Sequence, residues 1–285
     1  MLVLIGYLVV TASVLGGFVL AGGHVGALLQ PIELLMIGGA AAGSFFAGNS
    51  NKTIKAVLKA LPSLLKGSKY NKDTYMELMA LLYELLGKVR KEGLMSIEND
   101  VENPHESPVF AKYPKILNDH HVVEFMTDYL RIMVGGNLNA MEIENLMDME
   151  IETHHHEAVE PGLVFVELGQ AMPAFGIVAA VMGVVHTMES VGTVSNSELG
   201  ILIAHALVGT FLGILLAYGF VGPLGTLLSQ KAEESSKMLQ AIKVTLLANL
   251  NGYAPAMAVE FGRKVLYSYE RPSFLELEQH VKQKR

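Results

Sequence analysis

The chain has 285 residues, of which 51% are hydrophobic and 17% charged; its formal net charge is −7 and it contains no cysteine. A soluble domain is usually about 25% charged, so the composition argues against an ordinary soluble protein. The lack of cysteine excludes disulfides and thiol chemistry. The charges are unevenly distributed, because residues 1–51 carry only Glu33 and residues 161–230 carry three acids and no Lys or Arg. This distribution predicts an integral membrane protein.

Two apolar segments begin the chain. A helix needs about 20 apolar residues to cross a bilayer, and residues 2–21 and 32–48 have this character. The first segment has no basic start and no clear cleavage site, which indicates a retained helix and not a signal peptide. Residues 1–49 are therefore predicted to form a transmembrane hairpin.

Residues 50–165 are predicted to form a helical cytoplasmic domain. Apolar side chains recur at spacings of three and four in residues 73–93, 120–136 and 139–157, which is typical of amphipathic helices. The segment 98–114 is rich in Pro and Asn and predicts a loop.

The second pair of spans is predicted at residues 168–188 and 199–222, as a hairpin within residues 166–228. Residues 229–285 are predicted to form a cytoplasmic helix and a polar, loosely ordered tail. No phosphate-binding loop or dinucleotide fingerprint is present, and no nucleic-acid partner is expected.

The basic residues predict the orientation in the membrane. Residues 51–70 contain five lysines and no acid, whereas the loops 22–31 and 187–198 contain no Lys or Arg. Basic residues collect on the cytoplasmic side, so both termini are predicted to be cytoplasmic. The predicted fold is an all-α membrane protein with four transmembrane helices in two hairpins, and a helical domain inserted between spans two and three.

Small residues form a stripe along each of the last two spans. The stripes consist of Pro173, Gly176, Ala180, Gly183 and Thr187, and of Ala206, Thr210, Gly213 and Ala217 with Pro223 beyond them. Small residues let helices pack closely in lipid, and this explains Gly176, Gly183, Gly213 and Ala217. Each proline also frees a backbone carbonyl that protein or water must satisfy. We therefore favour a small polar pathway over packing alone, lined by Pro173, Ala180, Thr187, Thr210 and Pro223.

A membrane ion pathway normally contains an ionisable side chain, and none lies in the middle of these spans. Glu33 and Glu167 lie near helix ends, and Glu189 belongs to the outer loop. His186 and His205 lie toward the outer face, where packing explains them. We therefore expect another chain to supply the carboxylate.

Several long stretches resemble the MotA family of flagellar motor stator proteins, within the MotA/TolQ/ExbB proton channel family. The most specific is "ALVGTFLGILLAYGFVGP" (206–223); others are "PAFGIVAAVMGVVH", "LNGYAPAMAVEFGRK" and "YMELMALLYELLGKVRKEGLMSIENDVENP". These stretches cover almost the whole chain in the expected order.

The resemblance implies a stator subunit in the bacterial inner membrane, surrounded by lipid. It implies a homo-oligomer, a pentamer around a dimer of a peptidoglycan-binding MotB partner whose transmembrane Asp binds the ion. Pro173, Thr210 and Pro223 would then line the ion site, and ion flow would drive rotation. Arg90 and Glu98 match the charged positions that contact the rotor protein FliG. No enzyme activity, cofactor or metal is expected.

The resemblance also bears on the transported ion. Sodium needs several oxygen ligands, and sodium-driven relatives place a second threonine at the position that matches Ala180. A methyl group cannot coordinate sodium. We therefore predict that protons are transported, with sodium the less favoured ion.

Three alternatives remain open at this point. One is an ExbB- or TolQ-like energiser of outer-membrane processes, against which the uncharged first hairpin argues. Another is a metal-dependent membrane enzyme that uses His154–His156 with Glu152 or Glu157, although adjacent histidines on a helix point in different directions. The third is a purely structural scaffold.

Overall fold

The computed structural model describes residues 2–136 and 139–283, and every regular element in this part of the chain is helical. The α-helices are α1 (Leu2–Leu20), α2 (Pro31–Gly48), α3 (Asn51–Ala60), α4 (Lys72–Glu92), α5 (Glu98–Glu102), α6 (Pro114–Leu117), α7 (His120–Val134), α8 (Ala140–Glu189), α9 (Asn196–Ile214), α10 (Gly222–Leu250), α11 (Pro255–Val265) and α12 (Phe274–Gln283). Short 3₁₀ turns occupy Val25–Leu28, Leu61–Leu65, Leu94–Ile97 and Phe110–Lys112, and Leu215–Val221 is a π-helical segment.

The chain forms two compact units. The first comprises Met1–Gly67 and Ala158–Gln230, and the second comprises Ser68–Glu157 and Lys231–Arg285. Residues 50–67 and 158–165, which the sequence assigned to the cytoplasmic domain, fall in the first unit. The predicted domain boundaries at residues 49, 165 and 228 stay predictions.

Four helical segments are long and apolar enough to cross a membrane. They lie in Leu2–Leu20, Val25–Gly48, Ala140–Glu189 and Asn196–Leu250, which confirms the predicted all-α fold with four spans. In the first unit, Ile37 and Ala41 of α2 are buried in one cluster with Ala179 of α8 and Leu212 of α9. The apolar core of this unit therefore lies between α2, α8 and α9.

Several helices begin where the sequence offers a side-chain cap. Asn71 Oδ1 accepts a hydrogen bond from the Thr74 amide (3.1 Å) at the start of α4. At the start of α9, Ser195 Oγ accepts from the Glu198 amide (3.2 Å) while the Glu198 carboxylate accepts from the Ser195 amide (2.9 Å). Such caps satisfy amides that have no partner within the first helical turn.

The second unit is built around α4. Its predicted apolar face is buried, since Tyr75, Leu78, Leu82 and Leu85 are all fully inaccessible. The helix ends at Gly93, whose φ of +87° is readily adopted only by glycine. Within this unit α4 packs against α11, α12 and α6.

Two predictions about the polar segments were wrong. The predicted loop 98–114 contains α5, a 3₁₀ turn and the start of α6. The tail that was expected to be loosely ordered contains α12, in which Leu277 is buried and Val281 packs against the core. In both places a few apolar residues find partners that are distant in the chain, and tertiary packing stabilises short helices of this kind.

The helix boundary before the third span differs from the prediction, whereas the helix expected after the fourth span does continue from it. The third cytoplasmic helix and the third span are one continuous helix, α8, with Pro161 and Pro173 in its interior. The fourth span passes into α10 through the π-helical segment, without a break at Pro223. Interior prolines are tolerated in membrane helices because neighbouring groups satisfy the freed carbonyls, so α8 continues through both of its prolines.

Candidate functional site

Glycines line the contact between α8 and the helical segments that follow it. In α8 they recur every seventh residue, at Gly162, Gly169, Gly176 and Gly183. Seven residues are close to two helical turns, so these glycines lie on one face. The small residues opposite them are, in the same order, Gly225, Gly222, Gly213 and Ala206. The predicted stripes included the half of this contact formed by Gly176, Gly183, Gly213 and Ala206, and they missed the half formed by Gly162, Gly169, Gly222 and Gly225.

The helix backbones approach one another closely at Gly176. A methyl group on Gly176 would lie 2.8 Å from the carbonyl oxygen of Gly209 and 3.0 Å from the Cα of Gly213. Backbone atoms cannot turn aside as a long side chain can, so a larger residue would force the helices apart. Close approach at small residues is a common basis of helix association in lipid.

The other predicted packing residues lie at the same contact. A methyl group on Gly183 would lie 2.8 Å from the Ala206 Cβ. Ala217 is buried, and its carbonyl oxygen lies 3.5 Å from the position of a methyl group on Gly169.

Ala180 and Thr210, both predicted to line an ion pathway, lie at one level of the α8–α9 pair. Both are half-buried. A methyl group on Gly209, which precedes Thr210, would lie 3.1 Å from the Ala180 amide nitrogen and 3.2 Å from the Ala179 Cβ. The backbones of α8 and α9 are therefore close together at the level of Ala180 and Thr210.

Pro173 and Thr187 lie on either side of this level along α8. Pro173 is half-buried, and the carbonyl oxygen of Met172 lies 2.8 Å from the position of a methyl group on Gly213. Thr187 is buried, and its hydroxyl donates to the Gly183 carbonyl (2.8 Å). The Thr187 hydroxyl is thus engaged within its own helix.

A widened helical turn precedes Pro223. In Leu215–Val221 the hydrogen bonds reach five residues back, and the Gly222 amide donates to the Ala217 carbonyl. Proline has no amide hydrogen, and in a regular α-helix its ring collides with the carbonyl four residues before it. The π turn relieves that conflict, and such turns are frequent at functional sites. No pattern in the sequence predicted the π turn.

Pro223 itself is exposed at a surface groove of about 510 Å³ in the first unit. The polar side chains along the groove include Gln170 of α8, Tyr218 of the π-helical segment, and Thr226 and Gln230 of α10. The predicted pathway residue Pro223 is therefore accessible, beside groups that can hold water or a polar partner.

Helix α1 contacts the π turn through Tyr7. The Tyr7 hydroxyl donates to the Phe220 carbonyl (2.7 Å), and the two rings lie 4.9 Å apart. This hydrogen bond links α1 to the π turn. Nothing in the sequence pattern indicated a role for Tyr7.

Tyr7→Phe, which removes only the hydroxyl, is expected to lower the free energy of unfolding by about 1 kcal/mol and to speed amide hydrogen exchange in residues 221–225. Thermal unfolding and hydrogen-exchange mass spectrometry of the solubilised chain measure both. Tyr218→Phe is the matched control, since Tyr218 lies in the π turn itself and its side chain is 69% exposed. Equal exchange in Tyr7→Phe and the wild type would show that this bond does not hold the π turn.

A carboxyl group also lies at the level of Gly209. Glu33, in the first turn of α2, is 7% exposed, and its Oε2 lies 2.7 Å from the position of a methyl group on Gly209. Sequence reasoning placed Glu33 near a helix end, which is correct, and gave it no role. The residue order within α2 does not reveal which helix its first turn meets.

Comparison with known proteins identifies the family. The model for the N-terminal part of Motility protein A matches residues 4–93, and that for the MotA/TolQ/ExbB proton channel family matches residues 118–241. Motility protein A of Salmonella typhimurium strain LT2 is 59% identical over 282 residues, which is 99% of this chain and 95% of that protein.

The chain belongs to the Motility protein A family.

Two solved structures share the fold of this family member. The C. jejuni MotAB structure has a TM-score of 0.79 at 22% identity and covers 95% of this chain and 98% of that one. The flagellar MotAB stator complex from Bacillus subtilis has a TM-score of 0.73 at 24% identity, with 99% and 98% covered.

In this Motility protein A family member, the two residues predicted to contact a rotor lie in the second unit. Arg90 is in the last turn of α4, and Glu98 begins α5. Both are exposed, and neither side chain forms a hydrogen bond or ion pair within residues 2–136 and 139–283. Their charges are therefore available to another molecule.

A buried network fixes the segment that carries Glu98. Asp100 is 3% exposed and accepts from Lys88 Nζ (2.8 Å) and from the Ser107 hydroxyl (2.6 Å). Ser107 Oγ in turn accepts from the amides of Val109 and Phe110 (3.1 and 3.3 Å). Because both oxygens of Asp100 are engaged, α5 is tied to α4 and to the following turn.

Helix α4 also contacts Tyr113, the residue that precedes α6. The Tyr113 hydroxyl donates to Glu84 of α4 (3.0 Å). Burial, and after it the neighbouring Glu84 carboxylate, raises the pKa of Tyr113 above its ordinary value. The phenol therefore keeps its proton and remains a donor at physiological pH.

Asp100→Ala is expected to destabilise the second unit by about 3 kcal/mol, because it removes two charge-assisted hydrogen bonds at a buried site. Chemical denaturation of the solubilised chain, followed by tyrosine fluorescence, measures the loss. Asp128→Ala is the control, because Asp128 pairs with Arg131 at the surface and exposed pairs contribute about 0–1 kcal/mol. If the two variants lost the same stability, the Asp100 network would not be what anchors α5.

The three adjacent histidines have three different surroundings. The His154 ring lies 5.7 Å from that of His121, His155 Nδ1 lies 2.9 Å from Ser236 Oγ, and His156 Nε2 lies 3.8 Å from Glu152. Among the described residues, no group of three or more His, Asp or Glu side chains is arranged to hold a metal ion. The geometry therefore offers no support for the metal-enzyme hypothesis.

Proposed function

We propose that this chain is a stator subunit of a bacterial flagellar motor, which with a MotB-type partner forms an ion channel whose flux drives the rotor. Membership of the Motility protein A family over 99% of the chain carries this proposal. The four membrane-spanning segments and the glycine-lined α8–α9 contact support it. The ExbB- or TolQ-like alternative is less favoured, because the N-terminal 90 or so residues match a model specific to Motility protein A.

The assembly that we propose is a pentamer of this chain around a MotB dimer in the inner membrane, with both termini cytoplasmic. The relative from Bacillus subtilis is described as a flagellar MotAB stator complex, which supports a MotB-type partner here. The partner supplies an Asp within the membrane, and FliG is the rotor protein that meets Arg90 and Glu98. The exposed, unpaired state of these two charges is consistent with that contact.

In the proposed mechanism the ion binds the partner's carboxylate beside Pro173, Thr210 and Pro223. Protonation removes a charge from a low-dielectric region, and this biases the equilibrium between two arrangements of the helices. The glycine contacts let α8 and α9 shift as close-packed backbones. The π turn before Pro223 is a place where hydrogen bonds between residues four and five apart can exchange at little cost.

The proposed ion is the proton. Ala180 lies at the level of Thr210 and offers a methyl group where a sodium site would need an oxygen ligand. Protonation of a carboxylate requires no such set of ligands. No enzymatic activity forms part of the proposal.

Swimming tests the proposal directly. A bacterium that lacks its own stator would be given this chain with its cognate partner, in media with and without sodium. Swimming in both media is the expected result. Swimming only with sodium would overturn the proton assignment and keep the stator function. Failure to swim in either, with both proteins present in the membrane, would overturn the stator function.

A further inference from the structure

The carboxyl group of Glu33 has no hydrogen-bond partner at one of its oxygens. Oε2 is buried and unbonded, and the side chain as a whole is 7% exposed. It fills the space left by the missing side chain of Gly209, 2.7 Å from where a methyl group there would lie. The backbone of α8 is near, because the Ala180 amide nitrogen lies 3.1 Å from that same position.

An ionised carboxylate is costly in such a place. Burial of a charge without a partner is strongly unfavourable, and the group then binds a proton instead. Ionisable side chains inside a membrane are rare, and by default they indicate an ion or proton site. The Glu33 carboxyl group is therefore expected to bind a proton at this buried position.

A second titratable side chain, that of His205, lies in the helix that packs against Glu33, and His24 immediately precedes the 3₁₀ turn Val25–Leu28. His205 lies four residues before Gly209 in α9, and therefore on the same face of that helix as the glycine that Glu33 contacts. The adjoining residues of α8 are Ala179 and Ala180, and the 3₁₀ turn Val25–Leu28 has no ionisable side chain. The only titratable group of α1 is Tyr7, which is bonded to Phe220.

We propose that Glu33 and His205 form a proton-binding site within the membrane part of this chain, separate from the carboxylate supplied by the partner. Glu33 holds the proton, and His205 exchanges it with the side of the membrane on which α9 begins. The proton-binding site itself rests on the geometry alone, whereas its use in feeding the ion pathway rests on the proposed function.

The exchange step is a simple transfer. A proton that binds the neutral imidazole of His205 gives an imidazolium ion. Its passage to the Glu33 carboxylate leaves a neutral imidazole and a neutral carboxylic acid. Histidine suits this role because an imidazole nitrogen can accept a proton and then release it. The loaded site carries no net charge, which suits its burial.

Infrared difference spectroscopy tests the proton-binding site. The full chain with its partner, in lipid nanodiscs at neutral pH, is compared with Glu33→Gln, which keeps the shape and cannot ionise. We expect the wild type to show the carbonyl band of one protonated carboxyl per chain that Glu33→Gln lacks. Glu167→Gln, at an exposed glutamate of α8, is the control and keeps the band. Identical spectra for the wild type and Glu33→Gln would overturn the proposal.

The role of His205 has its own readout. When the sample is transferred to heavy water, the Glu33 band shifts as its proton exchanges. His205→Gln is expected to slow this exchange by about a hundredfold, the order of a general acid–base contribution. Unchanged exchange in His205→Gln would overturn the assignment of His205.

Swimming separates this inference from the proposed function. Glu33→Gln is expected to slow swimming more in a mildly alkaline medium, where protons are scarce, than in a mildly acidic one, while Glu167→Gln behaves as the wild type in both. Equal speeds for Glu33→Gln and the wild type in both media would overturn the role in the pathway. A wild-type pair that does not swim would overturn the stator function and leave the spectral test of the site intact.

Discussion

Gly176→Val is expected to abolish swimming when the chain is expressed with its partner in a bacterium that lacks its own stator. The valine Cβ would lie 2.8 Å from the Gly209 carbonyl oxygen and 3.0 Å from the Gly213 Cα. Neither backbone atom can move without separating α8 from α9. Overpacking usually costs about 1–3 kcal/mol, and a clash with two backbone atoms is expected to cost about 3 kcal/mol or more.

Gly200→Val is the matched control for this prediction. Gly200 also lies in one of the two helices, in the first turns of α9, and a methyl group there would meet no atom within 4 Å. This variant is expected to swim like the wild type and to unfold at the same temperature. Immunoblots of the membrane fraction would show whether Gly176→Val still inserts. Normal swimming of Gly176→Val would mean that α8 and α9 do not need this close contact.

Reversal of the exposed charges is expected to impair swimming without affecting stability. Arg90→Glu and Glu98→Lys each place a like charge against the rotor surface that we propose they contact. Like-charge contacts at an interface cost several kcal/mol, so we expect the rotor contact to weaken by about 2 kcal/mol, or roughly thirtyfold. Because both side chains are exposed and unpaired, the change in the free energy of unfolding is expected to stay within about 0.5 kcal/mol.

Swimming speed and membrane levels together check this second prediction. Glu157→Lys, a reversal at another exposed glutamate of the second unit, is the control and should swim normally. Arg90→Glu should regain speed when the facing acidic residue of the rotor protein is changed to lysine. Wild-type speed in both Arg90→Glu and Glu98→Lys would remove these residues from the rotor contact.

The two predictions rest on different kinds of contact, one within the chain and one with a partner. The prediction at Gly176 follows from interatomic distances within one chain, and it holds for any function that needs a folded α8–α9 pair. The prediction at Arg90 and Glu98 depends on a partner, and in the part of the chain that the structure describes neither side chain forms a hydrogen bond or ion pair.

The sequence alone determined the four spans and the main cytoplasmic helix. Span length follows from bilayer thickness, and the buried face of α4 follows from the three- and four-residue spacing of Tyr75, Leu78 and Leu82. Both are local properties, since each can be read within one turn or one span. The family resemblance rested on long ordered stretches, and the comparison at 59% identity confirmed it.

The order in the tail depended on contacts between distant parts of the chain. The composition of residues 270–285 is polar, and the segment alone would not form a stable helix. Leu277 and Val281 nevertheless pack against the core built around α4. A helix that is stabilised by contacts with distant residues shows only a weak helical pattern in its own sequence.

At the candidate site, the sequence determined some features and the tertiary structure determined others. The spacing of small residues indicated which face of α8 packs, because that is a property of one helix. That Gly176 meets Gly209 and Gly213, that the turn before Pro223 widens to a π-helix, and that Glu33 fills the space at Gly209 are all decided by tertiary structure. Helical periodicity fixes the face of a helix, whereas the neighbour that this face meets depends on how all the helices pack together.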